Sequence, residues 1–398
     1  MKYVILIGDG MADYHLDELN GKTPLQAANT PNFDKLAKMG CSGLLKTVPD
    51  NMTPGSDVAN LSLMGYNPAD YYTGRGPLEA ANLGIDLGNE DVVFRCNFIT
   101  REDDILEDFN AGHITSHETK QLIDELNENF KDIGTFYHGV SYRNIFVYNK
   151  TESAKLESVP PHDVTGDSLS QNMLKPFGDE NAIILNKLME DSEEVLINSD
   201  VNKKRQSEGK KIANRIWLWG QGTKPQIDTF QEKYGLNGAT ITGVDLIKGL
   251  GVYLGFNNIN VPGATGYFDT DYNAKGEYAV DAIDKFDILF IHVEAPDEAG
   301  HAGDIEEKIR AVENIDEKIL APVMKKLEEY DEYAIVLTPD HPTPIPLKTH
   351  SMDLIPFTVY ITGMESDNVE KYDEDSAKEG ELGIKRGYDL INCLINGF

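Results

Sequence analysis

Short apolar runs, each leading into a turn that carries metal-ligand types of side chain, constrain this chain more than any other feature. Tyr3 to Ile7 runs into Gly8-Asp9-Gly10, Phe286 to Val293 leads to Asp297 and His301, and Tyr333 to Thr338 leads to Pro339-Asp340-His341. Helical patterns separate such runs, as in the charged amphipathic stretch from Asp304 to Tyr330, interrupted near Pro322. That alternation predicts an α/β protein with a mainly parallel sheet flanked by helices, because a parallel pair needs a long crossover. Open parallel sheets bind ligands at the carboxyl ends of their strands, so residues far apart in sequence are expected to meet there.

Two further helices follow from local signals. Thr30 to Gly40 reads as a helix with Thr30 as N-cap, Pro31 in the first turn and Gly40 as the stop. Ser56 to Met64 reads as another, starting after Pro54-Gly55. The middle of the chain differs in character. Val92 to Ile99 and Ser141 to Tyr148 read as strands, Ser116 to Phe130 and Ala182 to Leu196 as helices, and none of the ligand-type residues falls among them. We therefore expect an α+β lid domain at 91–211 inserted into a discontinuous sheet domain of 1–90 and 212–398, with Lys203-Lys204-Arg205 and Lys210-Lys211 marking one hinge.

Charge narrows the partners. With 36 basic and 67 acidic residues the formal net charge is −31, which repels nucleic acid and anionic lipid, so neither is expected as a partner. An anionic substrate would need a locally basic pocket and metal ions to overcome that field. Three widely separated cysteines, Cys41, Cys96 and Cys393, suggest reduced thiols and a cytoplasmic setting. The apolar run Val4 to Ile7 is too short to be expected as a secretion signal, and no run suggests a membrane span.

Seven residues have the ligand types of a two-metal phosphoryl-transfer site: Asp9, Ser56, Asp297, His301, Asp340, His341 and His350. Asp9 sits between two glycines where the backbone must turn and another group approach closely. Asp297 and His301 are four apart, which on a helix puts both on one face. Pro339 and Pro342 bracket and stiffen Asp340-His341, and His350 lies a short loop later. Ser56 follows a tight Pro-Gly turn at the expected start of a helix, where free amides and the helix dipole favour an oxyanion or phosphate ester. An ordinary N-cap serine would look the same. With no Ser/His/Asp arrangement nearby, metal coordination is the expected means of activating its hydroxyl. His15, His117, His138 and His292 have only ordinary structural readings.

These segments, with Lys22-Thr23-Pro24-Leu25, Asn29-Thr30-Pro31-Asn32, Pro54-Gly55-Ser56-Asp57, Tyr71-Tyr72-Thr73-Gly74-Arg75-Gly76, Pro160-Pro161-His162-Asp163 and Ile216-Trp217-Leu218-Trp219-Gly220, resemble the cofactor-independent phosphoglycerate mutases of the archaeal type, members of the alkaline phosphatase superfamily. The likeness covers essentially the whole length. It implies an alkaline-phosphatase-like fold, a cytoplasmic glycolytic enzyme, and a partition of ligands: Asp9, Ser56, Asp340 and His341 around one divalent ion, Asp297, His301 and His350 around the other. Mixed oxygen and imidazole ligands suit manganese, cobalt or zinc better than magnesium, and manganese is expected. No bisphosphoglycerate is implied.

The implied reaction moves the phosphoryl group of 3-phosphoglycerate to Ser56 and back to the other hydroxyl, giving 2-phosphoglycerate. Two metals about 4 Å apart would stabilise the attacking and leaving oxygens. A lid would keep water from the phosphoserine. Arg75, Arg143 and Arg215 are candidates for the substrate's carboxylate and phosphate, or for structural ion pairs. His162 and Asp163 are candidates for moving protons between the glycerate hydroxyls. Lys248, near Asp245, resembles the lysine that steadies serine and phosphate in related mutases, although an amphipathic helix explains it equally. The same metal constellation serves phosphatases, and close relatives have been proposed as homoserine kinases; a kinase would need a nucleotide site, and no P-loop pattern is present.

Overall fold

The computed structural model describes residues 1–398. Thirteen strands alternate with helices: β1 Lys2–Gly8, β2 Cys41–Lys46, β3 Val92–Glu102, β4 Ile105–Asp108, β5 Thr135–Val140, β6 Arg143–Tyr148, β7 Arg215–Thr223, β8 Gly238–Ile241, β9 Asn257–Asn258, β10 Ile288–Val293, β11 Tyr333–Thr338, β12 Ile355–Ile361 and β13 Ile384–Arg386. The chain divides into two units, Met1–Tyr72 with Ile227–Phe398, and the contiguous Thr73–Gln226 inserted between them.

The first unit holds an eight-stranded sheet in the order β13-β2-β12-β11-β1-β10-β8-β9. At its centre β1 pairs in parallel with both β10 and β11, so that Gly8 is level with Val293 and Ile7 with Thr338. These strands are apolar on both faces because helices cover both, as parallel sheets require. Val4, Leu6, Leu289, Ile291, Ile335 and Leu337 join Ala311, Val312 and Ile315 of the helix Ile305–Ile315 in one buried core. The mainly parallel sheet flanked by helices is the fold class expected from the sequence.

One local expectation is corrected in this unit. Helix Pro31–Met39 starts after Thr30, but the Thr30 side chain makes no capping bond. Asp316 caps it instead, its Oδ1 accepting from the amides of Asn32 at 2.9 Å and Phe33 at 2.7 Å. The interruption expected near Pro322 is present. A π turn, Asp316–Leu320, links helix Ile305–Ile315 to Ala321–Leu327, accommodating the proline in its first turn. No helix is long and apolar enough to cross a membrane.

The second unit carries a separate antiparallel sheet, β4-β3-β6-β5, with β7 also paired to β3. Helices Ser116–Phe130 and Glu180–Asn198 cover one face through Leu122, Ile123, Leu126, Leu185, Leu188 and Met189. This unit is wider than the expected 91–211. It takes in β7, which the sequence reading gave to the sheet domain, because residues 215–223 pair with β3 across more than a hundred intervening positions. The hinge expected at Lys203-Lys204-Arg205 is a helix, Asp200–Ser207, and Arg205 is buried within the unit. Its guanidinium bonds both carboxylate oxygens of Glu118, at 3.0 and 2.9 Å, and the carbonyls of Ala111 and Lys211, both at 2.8 Å, so it ties the segment down.

Candidate active site

Seven donors expected from the sequence converge in the first unit. Helix Ala295–Ala302 follows β10, and its four-residue spacing brings His301 Nε2 to 3.2 Å from Asp297 Oδ2. His350, from the loop after β11, places Nε2 3.5 Å from Asp297 Oδ1 and 3.0 Å from His301 Nε2. The other ring nitrogens are fixed by main-chain carbonyls: His301 Nδ1 donates to Lys348 O at 3.0 Å and His350 Nδ1 to Pro54 O at 3.2 Å. A carbonyl only accepts, so Nδ1 carries the hydrogen in each ring. In neutral imidazoles the two Nε2 lone pairs then face each other, so either a proton or a metal cation must lie between them. Separations near 3 Å are those of donors sharing an ion about 2.1 Å from each. Burial works to raise the Asp297 pKa, but the imidazoles of His301 and His350 outweigh it and hold the carboxyl well below its usual range. The hydrogen bond to Asp297 in turn lifts His301 to about 9, so cation and proton compete for one nitrogen.

The second group forms where β1 and β11 end. Ser56 opens the helix Ser56–Leu63, and its Oγ lies 3.2 Å from His341 Nε2. The same nitrogen is 3.4 Å from Asp9 Oδ1 and 3.6 Å from Asp340 Oδ2. Asp340 is held on every side: its Oδ1 accepts from the amides of His341 at 2.8 Å and Gly10 at 3.2 Å, and its Oδ2 accepts from Asn60 Nδ2 at 2.8 Å. Asn60 Nδ2 also donates to Ser56 O at 2.8 Å, linking nucleophile candidate and ligand through one amide. Asp9 is buried, with Glu294 placed to share a proton with its carboxyl group. Burial, then the neighbouring carboxylates of Asp340, Glu294 and Asp297, push its pKa well above the usual range. Burial lowers that of His341, keeping its ring neutral. A divalent cation would relieve the crowding of buried carboxylates, and the mixed carboxylate, hydroxyl and imidazole set fits one.

The two groups adjoin. The rings of His341 and His350 lie 4.1 Å apart between centroids. Thr343 bridges them, its Oγ1 donating to Asp297 Oδ1 and lying 3.3 Å from His341 Nδ1. Gly10, at φ +60°, is packed against this bridge: a Cβ there would stand 2.7 Å from Asp297 Cα and 2.6 Å from Thr343 Oγ1.

Three residues that the sequence reading passed over stand on the far side of Asp9. His292, read as an ordinary histidine, is buried with Nε2 2.9 Å from Asp9 Oδ2 and 3.8 Å from Glu294 Oε2. Burial pushes Glu294 up to about 8 and His292 down to about 4. Lys275 is fully buried and donates to His292 O at 3.2 Å; burial brings it down to about 8. The available signal was polarity inside an apolar run, since His292 interrupts the buried strand Ile288–Val293. Lys248 lies on helix Asp245–Tyr253, which packs against the helix of Ser56, and its Nζ is 3.6 Å from Asp245 Oδ1.

The second unit gathers the other candidates only in part. Arg95, within β3, is buried; its guanidinium lies 4.1 Å from the Trp219 ring centroid and pairs with Glu79 at 2.9 Å. Burial lowers its pKa, Glu79 opposes that, and the charges of Arg75 and Arg143 lower it further, which groups three guanidiniums. Arg95 was missed, although an arginine amid Val92, Val93, Phe94 and Cys96 is a polar break in an apolar run. His162 lies against the same indole, 5.6 Å between ring centroids, and 3.7 Å from Asp163 Oδ1. Arg215 is not brought to this group. It lies about 13 Å along β7 from Trp219, with its Nη2 3.5 Å from Glu193, which also binds Arg101.

Comparison with known proteins gives the chain's relatives. Residues 37–202 match the family model described as 2,3-bisphosphoglycerate-independent phosphoglycerate mutase. The chain is 54% identical over 396 residues to 2,3-bisphosphoglycerate-independent phosphoglycerate mutase 2 of Methanothermobacter thermautotrophicus, covering 100% of this chain and 98% of that one. It is 50% identical to the enzyme of that name in Methanosarcina mazei, covering 99% and 100%. Among solved structures, the PH0037 protein of Pyrococcus horikoshii superposes with a TM-score of 0.82 at 31% identity, covering 99% and 96%. The cofactor-independent phosphoglycerate mutase of Thermoplasma acidophilum gives 0.68 at 28% identity, covering 99% of each chain. Likeness over the full length at this identity places the chain: it belongs to the family of 2,3-bisphosphoglycerate-independent phosphoglycerate mutases.

Proposed function

We propose that this chain interconverts 3-phosphoglycerate and 2-phosphoglycerate without bisphosphoglycerate, with Ser56 as transient phosphoryl carrier. Two divalent cations, manganese by the character of the donors, would be held by Asp9, Ser56, Asp340 and His341 and by Asp297, His301 and His350. The observation that carries this reading is Ser56 Oγ, at the first turn of its helix and 3.2 Å from His341 Nε2, beside a carboxylate and imidazole set with converging lone pairs. The relatives that share the chain's full length bear the mutase name. When bound, the cations supply a lowered hydroxyl pKa and positive charge for the phosphoryl oxygens.

The residues then divide the work. Ser56 Oγ gives up its proton and forms a bond to phosphorus as the bond to the 3-oxygen of the substrate breaks, and that oxygen takes up a proton. The 2-hydroxyl of glycerate next loses a proton and attacks the phosphoserine, releasing Ser56. The start of helix Ser56–Leu63 brings the positive end of the helix dipole to Ser56, which suits the phosphoryl oxygens. Asn60 holds the Ser56 main chain against Asp340, keeping nucleophile and ligand in register. For the substrate's carboxylate we assign Arg75, Arg95 and Arg143, and for proton movement His162 with Asp163.

The test is interconversion of the two phosphoglycerates with Mn2+ and no bisphosphoglycerate, comparing the native chain with Ser56→Ala. Turnover by the native chain alone, with a phosphate trapped on Ser56 and seen by mass spectrometry, is expected. Hydrolysis of generic phosphate esters without mutase turnover would replace this reading by a phosphatase, and ATP-dependent phosphorylation of homoserine by a kinase.

A further inference from the structure

Thr343 lies two residues past His341, fully buried in the turn after β11. Close packing fixes its place. A Cβ on Gly300, in the helix that carries Asp297 and His301, would stand 2.3 Å from Thr343 O and 2.7 Å from its Cγ2, and one on Gly10 would stand 2.6 Å from its Oγ1. On the main-chain side the buried Lys308 donates from Nζ to Thr343 O at 2.8 Å and to Asp13 Oδ2 at 2.6 Å, while Asp13 accepts from Ile345 N at 3.1 Å. A β-branched side chain is already stiff at χ1, and this enclosure holds its hydroxyl in one position.

That hydroxyl has a single hydrogen and two neighbours. The Asp297 carboxylate only accepts, so the hydrogen goes to its Oδ1. Toward His341 Nδ1, 3.3 Å away, Oγ1 can then only accept, which puts the ring hydrogen on Nδ1. The opposite edge of the ring pulls the other way. Nε2 faces the carboxyl groups of Asp9 at 3.4 Å and Asp340 at 3.6 Å, and a carboxylate there draws the hydrogen to Nε2. With the hydrogen on Nε2, that nitrogen has no lone pair to offer a cation or the hydroxyl of Ser56, 3.2 Å away. With it on Nδ1, the Nε2 lone pair is directed among Ser56, Asp9 and Asp340.

We propose that Thr343 is the positioning residue that keeps His341 in its ligating tautomer and, with the same hydroxyl, fixes the Asp297 carboxylate, so that one side chain aligns both candidate cation groups. Its effect on cation binding rests on the two-cation reading above; its effect on the tautomer does not.

Nitrogen-15 spectra of histidine-labelled, chelator-stripped full chain read the tautomer, with the His341 signals identified by their loss in His341→Gln. The native chain is expected to carry the hydrogen on Nδ1. Thr343→Val keeps the shape and removes the hydroxyl, so the hydrogen should move to Nε2, and Thr343→Ser should return it to Nδ1. Calorimetric titration with Mn2+ should show both sites weakened roughly ten- to hundred-fold in Thr343→Val, with tight binding restored in Thr343→Ser. A Thr343→Val chain that keeps the Nδ1 hydrogen or binds Mn2+ as tightly as the native chain overturns the proposal, as does a Thr343→Ser chain that behaves like Thr343→Val. A native chain that takes up fewer than two Mn2+ counts against the two-cation reading instead, and the spectra then decide on Thr343 alone. Should Thr343→Val fail to fold, a native His341 protonated on Nε2 overturns the proposal by itself.

Discussion

Replacing Gly10 by alanine tests whether the site is built by close main-chain packing or by side chains that can adjust. Gly10 holds φ +60°, and the added Cβ would stand 2.7 Å from both Cα and Oδ1 of Asp297 and 2.6 Å from Thr343 Oγ1. The left-handed backbone costs alanine about 1 kcal/mol. Forcing a methyl into a filled space adds about 1–3 kcal/mol, toward the upper end here because Asp297 Cα is main chain and cannot rotate away. The sum, about 2–4 kcal/mol, corresponds to a fall in Tm of roughly 5–15 °C for a unit of this size. Thermal unfolding in excess chelator reads this packing term without any contribution from bound ions. Mn2+ titration of the same variant should show weakened binding, since the methyl displaces the carboxylate that His301 and His350 share. A Gly10→Ala chain that melts within a degree of the native one and binds Mn2+ equally well would refute the reasoning.

Asn60→Ala removes the amide that holds Asp340 Oδ2 and Ser56 O, each at 2.8 Å; a ten- to hundred-fold loss of Mn2+ affinity is expected, measured by calorimetry. Lys308→Met breaks a fully buried pair with Asp13, 2.6 Å apart; leaving Asp13 unpaired should cost about 3–5 kcal/mol in denaturant unfolding, and a loss under 1 kcal/mol would count against a paired charge there. Glu374 is raised from 4.5 to about 7, chiefly by burial. Its folded form thus holds a proton that the unfolded chain releases above pH 4.5, and the stability it contributes below that pH is lost as pH rises to about 7. Relative to Glu374→Gln, the native chain should lose about 3 kcal/mol between those limits, and parallel stability curves for the two chains would contradict this.

The sheet and the gathering of carboxylate and imidazole side chains at its strand ends were legible from local patterns, whereas their division into two groups came from the family resemblance. Asp297 and His301 could be paired from their spacing once a helix was granted, and Asp340-His341 from the bracketing prolines. The side chains around Asp9 were not legible in the same way. His292 lies in a run otherwise read as plain core, and only the register of β1 against β10, which sets Ile7 level with His292, brings it beside Asp9. Arg95 was hidden for the same reason: β7 supplies the indole under its guanidinium from 124 positions later, as the pairing of Arg95 with Trp219 shows. The boundary of the second unit failed on that pairing too, because antiparallel partners so distant leave no local mark. The supposed hinge failed because charge was read as exposure, whereas Arg205 is buried against Glu118.

The central place of β1 has a consequence for how the protein is made. Strand β1 finds both neighbours, β10 and β11, only after residues 288–338 have emerged from the ribosome, whereas residues 73–226 form a contiguous unit whose sheet is complete long before. At about 5–20 residues per second, the amino-terminal segment waits many seconds without its native partners. Nascent chains stalled near residue 250 should therefore protect the amides of β3 and β6 from hydrogen exchange while those of β1 remain open.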